Sequence, residues 1–276
     1  MAKRSNADEF VSSIRVTPGD APALDARDPA AKLGLESKDQ AQGLTRELFV
    51  ELDELHDRLW AEATRSVLLV LHGIDASGKD GTIRKVLSGL NPQGCRVASF
   101  KAPSDNELAH DYLRRVHQEC PPRGQVGAFN RSHFEDVVAA RLIGAVTPEH
   151  CKLRYRHLCE FERMLTEEGT TLVKVFLHIS KDEQRVRFQE RIDDPTKAWK
   201  FKAGDLDVRE RWDEYQDICE EVISETSTEH APWFVVPADR KWVRDLAVAP
   251  LLVATLRRMD PRFPPPDPMF EGLVVT

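Results

Sequence analysis

The stretch Gly73-Ile74-Asp75-Ala76-Ser77-Gly78-Lys79-Asp80-Gly81 combines residue types and a spacing that imply phosphate chemistry. It fits GxxxxGK, a pattern that wraps backbone N–H groups around an anion when it joins a strand to a helix. Gly73 and Gly78 let the backbone curl, the following helix N-terminus faces the anion, and Lys79 reaches the phosphoryl group being transferred. Gly73, Ala76, Ser77, Gly78, Lys79 and Asp80 are therefore expected to bind phosphate. Two carboxylates distinguish this loop: Asp80 follows the lysine where Ser or Thr is usual, and Asp75 lies inside the loop. Negative charge beside phosphates is repulsive unless it binds a cation or takes a proton from the attacking group. Asp75 is thus assigned to Mg²⁺, with Mn²⁺ as a substitute, and to handling of the acceptor. For Asp80, a group behind the metal site and an acidic residue favoured by the helix dipole are equally open readings.

Three further segments carry candidate residues. Phe129-Asn130-Arg131-Ser132-His133-Phe134-Glu135-Asp136 ends an apolar run, so Asn130, Arg131 and Asp136 should project where a strand finishes. Arg131 offers a planar fork of donors for phosphate oxygens. For Glu135 and Asp136, capping a helix competes with contacting substrate. Gln184–Lys202 holds Arg185, Arg187, Arg191, Lys197, Lys200 and Lys202 against Glu190, Asp193 and Asp194. Arg187 and Arg191 stand four apart on a predicted helix and could clamp successive phosphates, although composition alone fits a solvated face equally well. Lys101, in Phe100-Lys101-Ala102-Pro103, is a candidate for an acceptor phosphate, with a surface lysine as the plain alternative.

Alternating strands and helices must position these groups. Strands are expected at 67–72, 96–101, 125–130, 172–179 and 233–236. Helices are expected over 39–66, from about 78, from about 105, over 148–168, across the charged stretch 181–224, and over 239–259. Near-continuous apolar strands separated by helices imply an α/β fold with a parallel sheet covered on both faces, and ligands at the strands' C-terminal ends. In the first helix Leu44, Leu48, Leu52, Leu55, Leu59 and Trp60 recur at three- and four-residue steps, the mark of an amphipathic face. Residues 1–38 lack a sustained period and read as a loosely ordered arm. With the first helix they form an N-terminal part, 1–66, followed by the main domain, 67–259, and a Pro-rich tail, 260–276.

Composition bounds the function. A 276-residue chain with 41% hydrophobic and 31% charged residues is an ordinary globular protein. Its longest apolar run, Val67–Leu71, is far below the roughly 20 residues of a membrane span. The polar N-terminus lacks a signal-peptide core, so a cytoplasmic location is expected, without membrane contact. Cys95, Cys120, Cys151, Cys159 and Cys219 are odd in number and form no CxxC pair, which argues against disulfides and zinc. The cluster His150, Cys151, His157 and Cys159 is read as buried packing. A net charge of −7 does not favour nucleic acid, and any polyanion must meet a local basic patch. The amphipathic segments suggest a homo-oligomer.

The loop Gly73–Gly81 resembles the modified Walker A loop of the polyphosphate kinase 2 family. Phe129–Asp136 resembles that family's second motif, and Asp194-Pro195-Thr196-Lys197-Ala198-Trp199-Lys200-Phe201 resembles its lid. The similarity runs from about Val16 to Arg257. It implies a P-loop kinase-like three-layer α/β/α fold with a helical lid at about 184–211, and Mg²⁺-dependent transfer between inorganic polyphosphate and AMP or ADP. Adenine nucleotides are the expected acceptors, with guanine nucleotides as alternatives. The family's matching arginine makes Arg131 catalytic with Asp75 and Lys79. Lid residues Arg187, Arg191, Lys197 and Lys200 are assigned to polyphosphate, and Lys101, Asn130, Glu135 and Asp136 to the acceptor nucleotide. Asparagine at position 130 resembles the class that accepts both mono- and diphosphates. Arg114 stands where Trp is common, and Phe134 where Tyr is common, which suggests a looser grip on the base. The competing reading is an ATP-dependent nucleotide or small-metabolite kinase of the same fold; a non-catalytic phosphate-binding module fits less well with both Lys79 and Asp75 present.

Overall fold

A computed structural model describes residues 10–274. Helix α1 (Lys38–Glu62) begins where the Ser37 side chain accepts a hydrogen bond from Gln40 N, and it ends at Ala63 in a left-handed conformation. That stop lies short of the expected 66 and leaves Ser66 free to open strand β1 (Ser66–His72), all of whose residues are buried. Leu52, Leu55 and Leu59 of α1 are buried as their spacing predicts, whereas Trp60 remains 37% exposed. Next come α2 (Lys79–Leu87), β2 (Cys95–Ser99), the short helices α3 (Asp105–Leu108) and α4 (Arg114–Glu119), and β3 (Val126–Asn130). A 3₁₀ turn, His133–Asp136, leads to α5 (Ala139–Leu142), α6 (Pro148–Glu167) and β4 (Thr170–His178).

The charged stretch expected as one helical run is three helices, α7 (Lys181–Asp193), α8 (Ala203–Glu210) and α9 (Trp212–Thr226). Asp194 is extended and Arg211 has non-helical angles, so the chain turns at both junctions. Strand β5 (Trp233–Pro237) and helix α10 (Lys241–Met259) complete the main body.

The five strands pair in parallel in the order β2-β3-β1-β4-β5. The chain runs outward from β1 to β2, returns to β3, and then crosses to β4 on the other side of β1. The direction of winding therefore reverses next to β1, which opens a crevice at the carboxyl ends of β1 and β3. Register places Leu71 beside Asn130, so the loop after β1 and the turn after β3 emerge side by side. The arm is more tightly held than its composition suggests. Ile14, Val16 and Leu24 are buried, Arg15 bridges Phe234 antiparallel, and Glu220 accepts from the backbone N–H groups of Ala23 and Leu24. The part of the arm before residue 10 and the end of the tail after residue 274 lie outside the described residues. Among the described residues, no helix is long and apolar enough to cross a membrane.

Candidate active site

The loop after β1 has the curled backbone its glycines predict. Gly73 adopts φ 140°, and a Cβ there would meet Leu177 O at 2.8 Å, so the loop can approach β4 only with glycine in place. Ala76 also has positive φ, 70°, a conformation that costs an L-residue strain and needs support from its surroundings. Lys79 opens α2 and is buried. Its ammonium donates to Gly73 O at 2.5 Å and Ile74 O at 3.3 Å, folding back over the loop. Burial lowers the Lys79 pKa against the opposing pull of Asp75.

Arg131 stands across from the loop with φ 63°, and its Nη2 donates to Asp75 Oδ1 at 2.7 Å. Burial raises the Asp75 pKa, but Lys79 and Arg131 outweigh it and the net shift is downward, keeping the carboxylate ionised. The structure thus brings together Asp75 from the loop after β1, Lys79 at the start of α2 and Arg131 just after β3. Asp75 is a hard oxygen donor of the kind that holds Mg²⁺ with phosphate oxygens and water. Among the described residues, three potential metal ligands also converge at Asp53, His56 and Asp57, on a different element, α1.

Asp80 is bound on both sides. Asn130 Nδ2 donates to its Oδ1, and Lys200 Nζ lies 3.3 Å from its Oδ2. Burial raises the Asp80 pKa, and the Asn130 and Lys200 hydrogen bonds outweigh it, giving a net decrease. Without a ligand, the Asp80 carboxylate, expected at phosphate, is occupied by these two partners. Its carboxylate ties the loop to β3 and the lid, while its backbone contributes to the helix N-terminus. Asn130, expected at the acceptor, spends its amide on the same tie.

In the lid, Arg187 and Arg191, expected to act together on polyphosphate, have different surroundings. Arg187 is buried, and its Nη1 donates to Ala76 O at 2.9 Å and Ser77 O at 3.0 Å. Arg187 therefore braces the loop from behind. Arg191 packs over Phe188, 5.7 Å from its ring centroid, within the field of Asp75. Lys197 pairs with Asp194 at 2.5 Å on the surface.

On the acceptor side, Lys101 is exposed and its carbonyl accepts from Arg115 Nη1 at 2.9 Å. Glu135 lies 3.6 Å from His72; burial raises its pKa against Arg131 and Lys79. Asp136 is held by Arg115 at 3.4 Å, and Arg154 donates to its backbone carbonyl at 2.7 Å. Phe134 is fully buried against His133 and Trp233, so it cannot touch a base. That removes it from the argument for a loose base grip. Arg114 is exposed and lines a groove with Asp111, His117 and Phe161.

Several residues at this site escaped the sequence reading. Arg115 and Arg154 carry the charge that holds Asp136. Gln184 Nε2 donates to Asp75 O at 3.1 Å. Asp205 of α8 is buried, and burial together with the neighbouring Asp75 carboxylate raises its pKa. Arg244 of α10 lies across Gly78, where a Cβ would stand 1.8 Å from its Nη1. These groups come from distant parts of the chain and belong to no local motif.

The chain is similar to known proteins over most of its length. The family described as polyphosphate kinase 2 matches residues 35–264. A relative from Meiothermus ruber named AMP/ADP-polyphosphate phosphotransferase is 53% identical over 224 residues, covering 81% of this chain and 84% of that protein. An ADP-polyphosphate phosphotransferase from Rhodopseudomonas palustris is 43% identical over 245 residues, covering 84% and 85%. The crystal structure of polyphosphate kinase 2 from Arthrobacter aurescens superposes with a TM-score of 0.90 at 40% identity, covering 94% of this chain and 92% of that one.

Proposed function

This chain belongs to the polyphosphate kinase 2 family, and from that membership we propose that it transfers phosphoryl groups reversibly between inorganic polyphosphate and adenine nucleotides. AMP becomes ADP and ADP becomes ATP. The observation that carries the reading is the meeting of Asp75, Lys79 and Arg131 at the mouth of the phosphate loop, with Arg131 2.7 Å from Asp75. An oxygen of the nucleotide's terminal phosphate attacks the end phosphorus of polyphosphate. One P–O bond forms, another breaks, and the shortened chain leaves with the electron pair.

Catalysis is then largely positioning and charge stabilisation. Lys79 turns from the Gly73 and Ile74 carbonyls to the phosphoryl oxygens, and Arg131 faces the incoming phosphate. Asp75 is the residue that would hold Mg²⁺, which would supply charge neutralisation to the phosphates. Arg191, Lys197, Lys200 and Lys202 give the lid a cationic edge for a phosphate chain. Lys101, Arg115 and Arg154 form the basic side where the acceptor enters. We assign the protein to the cytoplasm and to a homo-oligomer, the latter supported by exposed apolar side chains such as Val50, Ile143 and Phe270.

The test is to incubate pure protein, Mg²⁺ and polyphosphate with AMP, ADP or the guanine nucleotides in turn, and to separate the nucleotide products. Formation of ADP and ATP supports the reading. Nucleotides that turn over only when ATP is the donor would instead make this an ATP-dependent kinase.

A further inference from the structure

Arg187 sits on the lid helix α7 but spends all its donors inside the protein. Besides the Ala76 and Ser77 carbonyls, its Nη2 reaches Ala238 O at 2.5 Å and Asp239 O at 2.9 Å, and its Nε reaches Glu183 Oε1 at 2.8 Å. A guanidinium has five N–H groups, and these five contacts leave none for a ligand. The residue is 5% exposed, so a phosphate chain cannot reach it in this arrangement.

The contacts nevertheless bear on phosphate binding. Ser77 C=O is held outward by Arg187, and because a trans peptide is planar, the Gly78 N–H of the same unit must point to the opposite side. That side is the N-terminus of α2, where an anion binds. Ala76 holds φ 70°, a strained conformation that persists only where its surroundings fix it. Arg187 supplies that fixation and links the loop to the segment after β5. Arg244 also crosses Gly78 and is itself held by Asp245, with Nε to Oδ1 at 2.9 Å.

We propose that Arg187 is a positioning residue for phosphoryl transfer, holding Ala76–Ser77 so that the loop's N–H groups face the donor phosphate. The inference rests on the polyphosphate-transfer reading. It differs from a phosphate clamp in its consequence. A brace serves the phosphates in the loop whatever the length of the chain beyond them, whereas a clamp serves the distal ones.

The test compares wild type with Arg187→Lys, which keeps the charge and loses the fork, and with Glu183→Gln, which removes only the carboxylate anchoring Nε. Thermal unfolding identifies folded variants. Calorimetric titration with tripolyphosphate and with long-chain polyphosphate is set beside kcat and KM for polyphosphate and for ADP. Loss of hydrogen bonds to a charged group predicts donor affinity weakened about tenfold or more in Arg187→Lys. The loss should be equal for short and long donors, and KM for ADP should change by less than about twofold. Glu183→Gln should show a smaller loss of the same kind, and it carries the test alone if Arg187→Lys does not fold. Unchanged donor affinity in a folded variant would reduce Arg187 to a structural role. A loss that grows with chain length would restore the clamp. Wild type that binds tripolyphosphate yet makes no nucleotide product would refute the activity while leaving the brace measurable by titration.

Discussion

At the residue scale the account turns on Lys79. Its ammonium is buried, and its partners are two loop carbonyls that phosphoryl oxygens can replace. Removing one group that stabilises transition-state charge typically costs about 10²–10³ in kcat. Lys79→Met should therefore lose at least about a hundredfold in turnover, with a melting temperature within about 3 °C of wild type because the methylene stem is preserved. Wild-type turnover in this variant would remove the assignment. His72 offers a pH test. Burial first, then Lys79 and Arg131, lower its pKa from 6.5 to about 3. Between those values the unfolded chain binds the proton and the folded one does not, so stability is full above 6.5 and falls as pH drops. At about 1.36 kcal/mol per pH unit, acidification to about pH 4.5 should cost about 3 kcal/mol through this group. Denaturant titrations of His72→Leu at neutral pH and at about pH 4.5 should show a correspondingly smaller drop. An equal drop would place the acid sensitivity elsewhere.

At the scale of elements, the lid from α7 to α8 divides its cations by direction. Arg187 faces the loop, while Arg191, Lys197 and Lys200 remain at the crevice side or on the surface. Arg191→Ala should raise KM for long polyphosphate several-fold and KM for ADP little, and added salt should reproduce part of that loss because exposed charges are screened. If variant and wild type use long polyphosphate equally well, the outer lid face is an ordinary solvated surface. This division was not legible in the sequence. Spacing by four puts Arg187 and Arg191 near one face, but it does not say how a helix is rotated against its neighbours, and an arginine buried among carbonyls looks like any other in a charged run. Strands β1 and β3 were legible, because near-continuous apolar runs read as strands buried on both faces of a parallel sheet. The arm was not, since Ile14, Val16 and Leu24 are fixed singly by tertiary contacts and make no period. Arg244, Asp205 and Arg154 were invisible for the same reason: each reaches the site from its own helix, and no spacing in the sequence joins them.

For the whole molecule, one sheet edge gathers the loop after β1, Arg131 after β3 and the lid after β4. On the proposed function, donor and acceptor meet in this single crevice. Asn130 is neutral and already bonded to Asp80, so position 130 adds no carboxylate of its own. A mono- or diphosphate can then present its end phosphate in the same place, and AMP should pass through ADP to ATP in one reaction. Phosphorus NMR of the pure protein with polyphosphate, Mg²⁺ and AMP, without ATP or a second kinase, tests this most directly. The account predicts loss of internal polyphosphate signal matched first by the β-phosphate of ADP and later by the γ-phosphate of ATP. Unchanged nucleotide signals, or polyphosphate converted to free orthophosphate alone, would contradict it.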